Sequence, residues 1–230
     1  MTTADTLTRV RVDGPGWRGP ALLARPGPSS RPVRALLAFG HGFLQRPWRY
    51  AGLLHGLAEL GCLTVAPDTQ TGPLPRHTRL AVALTATLEW ARQQAGGSCA
   101  AYTIGHSMGA GAALLALTRD ERVDGAVLLS GLDTRPSMLA ALPRVTRPTL
   151  HVVGTDDTVV PPERSRQLYA AVPQSATWRE IEGGGHCGLL DRAFPKERLC
   201  GASRISPATQ LRATLDAVDA WLNVPDHPEA

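Results

Sequence analysis

The sequence predicts an α/β fold with a mostly parallel central sheet and helices on both of its faces. Short apolar runs alternate along the chain with longer segments of helical periodicity, a pattern typical of strands joined by helical crossovers. The length of 230 residues suits one domain of this class. Because no repeat or low-complexity linker divides the chain, we predict a single domain over residues 1–230.

The N-terminal residues predict a hairpin at the edge of the sheet. Residues 7–12 alternate polar and apolar side chains, and residues 21–24 are a suitable partner strand across the turn at 14–16. The composition of residues 25–30 predicts a loop. The predicted subdivisions are an N-terminal edge hairpin and loop (1–32), a core (33–223) and a tail (224–230).

Strands and helices alternate through the core. The strands are predicted at 33–39, 63–66, 100–104, 123–129, 149–153 and 177–181. The helices are predicted at 48–60, 78–94, 110–117, 162–171 and 207–222. Gly61 and Gly96 mark two of the helix ends, since glycine readily adopts the left-handed conformation that closes a helix.

The most informative motif is Gly105-His106-Ser107-Met108-Gly109, between the strand at 100–104 and the helix at 110–117. It matches the pattern G-x-S-x-G, in which a serine occupies a sharp turn from strand to helix. Glycines are required beside so tight a turn because Cβ atoms there would collide. Such a turn raises the serine hydroxyl above the sheet, so Ser107 is the predicted nucleophile.

A serine hydroxyl needs a base to remove its proton and a third group to orient that base. The strand at 149–153 leads into Asp156 and Asp157, and the strand at 177–181 leads into a glycine run that ends at His186. Open α/β sheets place ligands at the carboxyl ends of their strands, where these residues lie. The order serine, aspartate, histidine along the chain is also the one expected for a serine nucleophile in a G-x-S-x-G turn. We predict His186 as the base and Asp157 as the orienting acid, with Asp156 as the alternative acid.

Attack of a serine on a carbonyl carbon turns the carbonyl oxygen into an oxyanion, which requires hydrogen-bond donors to stabilise it. The backbone N–H of Met108, the residue after the nucleophile, is one predicted donor, and the N–H of Phe43, in the loop after the strand at 33–39, is the other. Apolar side chains near these loops are candidates for the wall of a substrate pocket. They are Leu44, Trp48 and Val159, together with Phe43 and Met108, and Trp178 is a further neighbour.

These motifs together resemble the α/β-hydrolases of the dienelactone-hydrolase-like branch, which includes bacterial cutinases, polyester hydrolases and chlorophyllase-like esterases. The resemblance spans residues 33–222. It rests on Gly40-His41-Gly42-Phe43, Pro67-Asp68-Thr69, the motif around Ser107, residues 154–161 and Gly185-His186. It implies the α/β-hydrolase fold and serine-esterase chemistry, and its G-x-x-D-x-x-V-P pattern favours Asp157 as the acid. The chain departs from true dienelactone hydrolases, which carry a cysteine as nucleophile, and from secreted cutinases, which carry export signals.

Related lipases and epoxide hydrolases often carry a helical cap between the strands that correspond to 123–129 and 149–153. Here fewer than twenty residues separate these strands, with room only for a short helix around 137–142. We therefore expect no sizeable cap domain and an open cleft, suited to short-chain or accessible polymeric esters. The predicted function is carboxylic ester hydrolysis. The alternatives are a thioesterase, acyltransferase or peptidase with the same residues, or a non-catalytic binding module on this scaffold.

Composition argues against several other partners. The formal net charge of +4 comes from scattered arginines, so no nucleic-acid partner is expected. No apolar run reaches the roughly 18 residues of a membrane helix, and the first residues show no signal peptide. We expect a cytoplasmic protein, or a secreted one if a signal has been removed, and neither a metal nor a cofactor. The sequence does not indicate the oligomeric state.

The four cysteines fall into two pairs. Cys62 and Cys99 lie beside predicted core strands and are expected to be small buried side chains. Cys187 directly follows His186, and a disulfide to Cys200 would stiffen the loop that carries the base. A cytosolic protein would keep this pair reduced, so both states remain open.

Overall fold

The computed structural model describes residues 7–27, 33–96, 99–172, 176–191 and 200–224. Its strands are β1 (Leu7–Gly14), β2 (Trp17–Ala24), β3 (Ala35–Gly40), β4 (Cys62–Pro67), β5 (Ala101–His106), β6 (Gly125–Leu129), β7 (Thr149–Gly154) and β8 (Ala176–Ile181). They form one sheet in the order β1-β2-β4-β3-β5-β6-β7-β8. β2 is antiparallel to both β1 and β4, and all the other pairs are parallel. The predicted mostly parallel sheet is confirmed.

The hairpin at the edge of the sheet is longer than the sequence pattern indicated. Its ladder runs from the pair Leu7 and Ala24 to the pair Gly14 and Trp17, so only two residues form the turn. Gly16 in this turn has a φ of 76°, a left-handed conformation that glycine adopts without strain. The hairpin joins the rest of the sheet through residues 21–24, which pair with β4.

Within the described ranges, five α-helices cover the two faces of the sheet: α1 (Ala51–Glu59), α2 (His77–Ala95), α3 (Met108–Arg119), α4 (Pro162–Ala171) and α5 (Pro207–Leu222). α1 and α5 pack on one face, and α2, α3 and α4 pack on the other. Successive residues of β3 enter opposite layers, because side chains of a strand alternate between its faces. Leu36 faces α2 and α3, whereas Leu37 faces α1. Helices on both faces, as predicted, therefore bury the sheet between two apolar layers.

Two predicted helices differ in form. The segment predicted as a helix at 48–60 begins with a 3-10 turn, Pro47–Tyr50, before α1 starts at Ala51. The short helix expected around 137–142 is a 3-10 segment, Leu139–Arg144, which contains Pro143. A proline inside a helix removes a backbone donor, which is consistent with this short form. This segment fills the space between β6 and β7, and the expectation of no sizeable cap is confirmed.

Other predicted elements recur with ends moved by a few residues. Residues 28–30 of the predicted loop at 25–30, and all of the predicted tail after Val224, lie outside the described residues. None of the helices among the described residues is long and apolar enough to cross a membrane.

A buried histidine on β7 has a consequence for stability. The side chain of His151 is 1% exposed and packs against the rings of Tyr169 and Trp178. Burial lowers the pKa of His151 to about 4, because a charged imidazolium is poorly solvated there. The unfolded chain protonates this ring near pH 6.5, so it binds more protons than the folded chain between these two pH values.

We predict that His151→Leu weakens the acid sensitivity of the fold. In the wild-type protein the free energy of unfolding should fall as the pH decreases from about 6.5 to about 4, and His151 should account for about 3 kcal/mol of that loss at 1.36 kcal/mol per pKa unit. Urea unfolding of both proteins across this range measures the difference. Equal losses in the two proteins would show that His151 does not titrate in this way.

Candidate active site

A sharp turn between β5 and α3 carries Ser107. Its backbone has φ 56° and ψ −119°, a left-handed conformation that side-chain-bearing residues rarely adopt. A Cβ atom added at Gly105 would lie 2.2 Å from the carbonyl oxygen of Gly109, and one added at Gly109 would lie 2.0 Å from that of Gly40. The two flanking glycines of the motif thus let β5, α3 and the end of β3 approach within backbone contact, with Ser107 at the apex.

His186 and Asp157 form a buried pair. Nδ1 of His186 lies 2.7 Å from Oδ2 of Asp157, and both residues are nearly inaccessible to solvent. Oδ1 of Asp157 accepts hydrogen bonds from the N–H groups of Val159 and Val160 at 3.0 and 2.7 Å. The backbone after β7 therefore holds the carboxylate in place while its other oxygen faces the imidazole.

The surroundings of Asp157 favour its ionised form. Burial works to raise the pKa of Asp157, but the hydrogen bond and charge of His186, together with hydrogen bonds from Val160 and the Ser130 hydroxyl, lower it further than burial raises it. The net direction is a pKa below the ordinary value of an aspartate. At neutral pH the carboxylate is charged, so it accepts a hydrogen bond from the Nδ1–H group of His186.

Asp156, the alternative acid, points elsewhere. Its carboxylate accepts two hydrogen bonds from the guanidinium of Arg204, at 2.8 and 2.9 Å. These bonds lower the pKa of Asp156. The structure therefore brings Asp157, and not Asp156, to His186.

Ser107 and His186 line the same cavity, whose volume is about 200 Å³. Phe43, Leu44, Val159, Leu190 and the two cysteines 187 and 200 supply its apolar surface. Phe43 and Val159 stand at the entrance, since they are 47% and 45% exposed. None of the described residues that line the cavity is Lys, Arg, Asp or Glu.

The two predicted oxyanion donors flank the serine. Met108 is the first residue of α3, where a backbone N–H has no partner within its own helix. Gly42, next to Phe43, packs against the turn, because a Cβ atom added there would lie 3.6 Å from the Cβ of Ser107. The loop after β3 thus contacts the turn that carries the predicted nucleophile, and α3 begins at the next residue of the chain.

Trp48 is not among the residues that line this cavity, which corrects the sequence-based expectation. Its 3-10 turn buries Tyr50 and leaves the Trp48 ring 47% exposed, beneath the guanidinium of Arg49. Trp48 lines a second cavity, beside β2 and the ion pair of Arg46 and Asp68. Leu44 and Val159 do line the cavity beside Ser107.

Trp178 also lies elsewhere. Its indole N–H donates to Glu180, and its ring packs against Tyr169 and below the guanidinium of Arg166. This cluster lies beside α4 and not at the cavity.

Cys187 and Cys200 are joined by a disulfide, which settles the pairing that the sequence left open. The bridge lines the cavity beside His186. Cys62 is free and buried, as expected, and Cys99 is free but only partly buried.

Two buried polar residues contact the site without having been identified from the sequence. The side-chain amide of Gln210 on α5 accepts from the N–H of Gly185 and donates to its carbonyl, which clamps the loop before His186. The hydroxyl of Tyr50 contacts both Gly42 and His106. A glutamine on the apolar face of a helix is a detectable sequence signal, whereas nothing in the sequence distinguishes Tyr50 from an ordinary core tyrosine.

A family model and several solved structures match this chain. The serine hydrolase (FSH1) family model matches residues 86–187, a segment that contains Ser107 and His186. A search of curated proteins found no match. Among solved structures, the chain is similar to a dienelactone hydrolase from Anabaena variabilis, with 23% identity, a TM-score of 0.70, and coverage of 94% of this chain and 97% of that one.

Two esterase structures are also similar. Est1E from Butyrivibrio proteoclasticus has 17% identity and a TM-score of 0.68, with 93% of this chain and 97% of that one covered. The esterase domain of a Rhodothermus marinus protein has 16% identity and a TM-score of 0.69, with 94% and 97% covered. Together with the sheet order and the turn at Ser107, these matches show that the chain has the α/β-hydrolase fold. The family match supports a hydrolase of the serine type.

We predict that Gly109→Ala destabilises the protein by about 2–3 kcal/mol, because its Cβ would overlap the backbone of Gly40. Gly72→Ala is the matched control, since a Cβ atom there meets nothing within 4 Å. Its free energy of unfolding should stay within about 1 kcal/mol of the wild-type value. Denaturant unfolding compares the two variants, and equal stability would contradict the close approach at the turn.

Loss of the disulfide should also destabilise the protein. The bridge closes a loop between positions 13 residues apart, for which the chain-entropy model gives about 3 kcal/mol. Cys200→Ser should lower the free energy of unfolding by about this amount, and reductant should bring the wild-type protein to the same value. Cys99→Ser should keep the wild-type response to reductant. A wild-type protein that reductant leaves unchanged would contradict the prediction.

Proposed function

We propose that this protein is a serine esterase that hydrolyses carboxylic esters through an acyl-enzyme intermediate. Ser107 is the nucleophile, His186 the general base and Asp157 the group that orients it. The observation that carries the proposal is the 2.7 Å hydrogen bond between the buried Asp157 and His186, beside the cavity that Ser107 enters from a left-handed turn. A buried carboxylate, an imidazole and a turn serine that lines a cavity form the set of groups that acyl transfer requires.

In the first step, Nε2 of His186 takes the proton of the Ser107 hydroxyl as Oγ attacks the ester carbonyl. The carbonyl oxygen becomes an oxyanion, held by the N–H groups of Met108 and Phe43. The C–O bond to the alcohol then breaks, and the imidazolium of His186 gives its proton to the departing oxygen. Since Asp157 is ionised and accepts from Nδ1, it fixes the tautomer that leaves Nε2 free and stabilises the charged ring.

In the second step, water replaces the alcohol. His186 removes a proton from the water as its oxygen attacks the acyl carbon, and the same two N–H groups hold the new oxyanion. The bond to Oγ breaks, Ser107 recovers its proton from His186, and the carboxylic acid leaves. The enzyme returns to its starting protonation state.

The size and lining of the cavity favour a substrate whose bound group is short and uncharged. A volume of about 200 Å³ equals that of roughly seven water molecules in the liquid, which suits a short acyl or alkyl chain better than a long one. Among the described residues, its lining is mostly apolar and includes no Lys, Arg, Asp or Glu. The absence of a sizeable cap leaves the entrance open beside Phe43 and Val159, so an accessible polymer chain is a second candidate substrate. Thioesterase or acyltransferase activity would use the same groups.

Substitution of the two adjacent aspartates tests the assigned roles. Asp157→Asn should lower kcat for a short nitrophenyl ester about 10³–10⁴-fold, because the amide no longer holds the required tautomer of His186. Asp156→Asn, the matched control, removes the charge that faces Arg204, which keeps Glu182 as a partner, and should keep kcat within about twofold. Ser107→Ala should abolish turnover with the fold intact by circular dichroism.

The same assay, with esters of increasing acyl length, measures the substrate range. We expect kcat/KM to decline beyond short chains. Equal losses in the two aspartate variants, or turnover retained in Ser107→Ala, would overturn the proposed function. Competing alcohols and thioesters in the assay identify acyl transfer or thioester cleavage by their products.

A further inference from the structure

A continuous chain of hydrogen bonds runs beneath the proposed site. The N–H of Gly42 lies 3.0 Å from the hydroxyl of Tyr50, and that hydroxyl lies 2.9 Å from Nδ1 of His106. Nε2 of His106 lies 3.0 Å from the carbonyl oxygen of His186. Tyr50 and His106 are buried, with 0% and 1% exposure, and the reaction as described above does not use them.

The two ends of this chain determine where each proton lies. A backbone carbonyl only accepts, so Nε2 of His106 carries a proton and donates it to His186. Nδ1 of the neutral ring is then an acceptor and accepts a hydrogen bond from the Tyr50 hydroxyl. A backbone N–H only donates, so the oxygen of Tyr50 accepts from Gly42. Every donor in the chain therefore has an acceptor only if the hydrogen bonds all point the same way, from the loop after β3 towards the loop after β8.

His106 is suited to remain neutral during turnover. Burial, and next the nearby charge of His186, lower the pKa of His106 to about 3, although Asp157 acts in the opposite direction. The rings of His106 and His186 lie 4.7 Å apart between centroids. A neutral His106 therefore adds no like charge beside His186 when that ring becomes an imidazolium.

The chain connects the three loops that must act together. Gly42 precedes the proposed donor Phe43, His106 precedes Ser107, and the carbonyl at the last link belongs to His186. The ring of Tyr50 is itself held by an edge contact with Phe39, at 4.8 Å between centroids. Small displacements of reacting groups cost large factors in rate, so a rigid link between these loops bears directly on turnover.

We propose that Tyr50 and His106 are positioning residues, which hold the oxyanion loop and the base in register with the Ser107 turn. Neither residue is one of the reacting groups, and Tyr50 lies behind the cavity, which His106 borders beside Ser107. This inference rests on the proposed function. It adds Tyr50 and His106, which affect the rate of the reaction by holding the loops that carry Phe43, Ser107 and His186.

Tyr50→Phe tests the first link. It removes one hydroxyl and should lower kcat for a short ester about tenfold, with KM within about twofold, because binding at the apolar wall is unchanged. Tyr102→Phe is the matched control: Tyr102 is also buried, in the same apolar layer, but packs against Trp221. It should keep wild-type kcat. A Tyr50→Phe variant with wild-type kcat would overturn the proposal.

A double-mutant cycle tests whether the two residues act as one chain. His106→Gln retains a donor toward the His186 carbonyl but loses the acceptor for Tyr50. Since the link to Tyr50 is already absent, adding Tyr50→Phe to His106→Gln should lower kcat by less than about twofold more. A double variant whose loss equals the product of the two single losses would show independent roles and contradict the chain.

The protonation state of His106 tests the chain without reference to activity or to any variant. Nitrogen-15 NMR of the wild-type protein between pH 5 and 8 should show the His106 ring protonated at Nε2 and bare at Nδ1. A proton on Nδ1 would reverse the chain and overturn the proposal.

If Ser107→Ala retains turnover, the proposed function fails. If turnover depends on Ser107 but is intact in both Tyr50→Phe and His106→Gln, only the positioning role fails.

Discussion

The left-handed backbone at Ser107 is the constraint on which the rest of the site depends. It places a side chain at the apex of a turn so tight that the backbones of Gly105, Gly109 and Gly40 meet without room for a Cβ atom. That contact brings the loop after β3 beside the start of α3, where the proposed oxyanion donors lie. A comparable approach at the other side, where a Cβ on Gly154 would lie 2.2 Å from the carbonyl oxygen of Gly184, holds the acid and base loops together.

Two buried polar systems build on this backbone framework. In one, Asp157 receives two backbone N–H groups and orients His186. In the other, Tyr50 and His106 link the backbone of Gly42 to that of His186. Both end on His186, one at the ring and one at the carbonyl, so this residue is held from two directions. A buried donor or acceptor that loses its partner costs free energy, so these groups favour the one arrangement in which each of them is paired.

The sequence was informative where chemistry and local geometry coincide. The alternation of apolar runs predicted the parallel sheet, because crossovers need helices between strands, and the glycines around Ser107 indicated the turn. His186 and Asp157 could be located from their places after strands. By contrast, Trp48 was assigned to the wrong cavity because the 3-10 turn at 47–50 changes which side chain faces inward. The sequence named Cys187 and Cys200 as a pair but left its oxidation state open. The contacts of Tyr50 join segments far apart in the chain, which periodicity and motif spacing do not encode.

The most direct measurement of the central claim is labelling by a fluorophosphonate, which reacts with a serine only when a neighbouring base activates it. Intact-mass and peptide analysis of the labelled wild-type protein should find one adduct per chain, on Ser107. Prior unfolding in denaturant should abolish the reaction, because activation requires His186 to be held by the folded chain. An adduct on another residue, or a folded protein that does not react, would contradict the account.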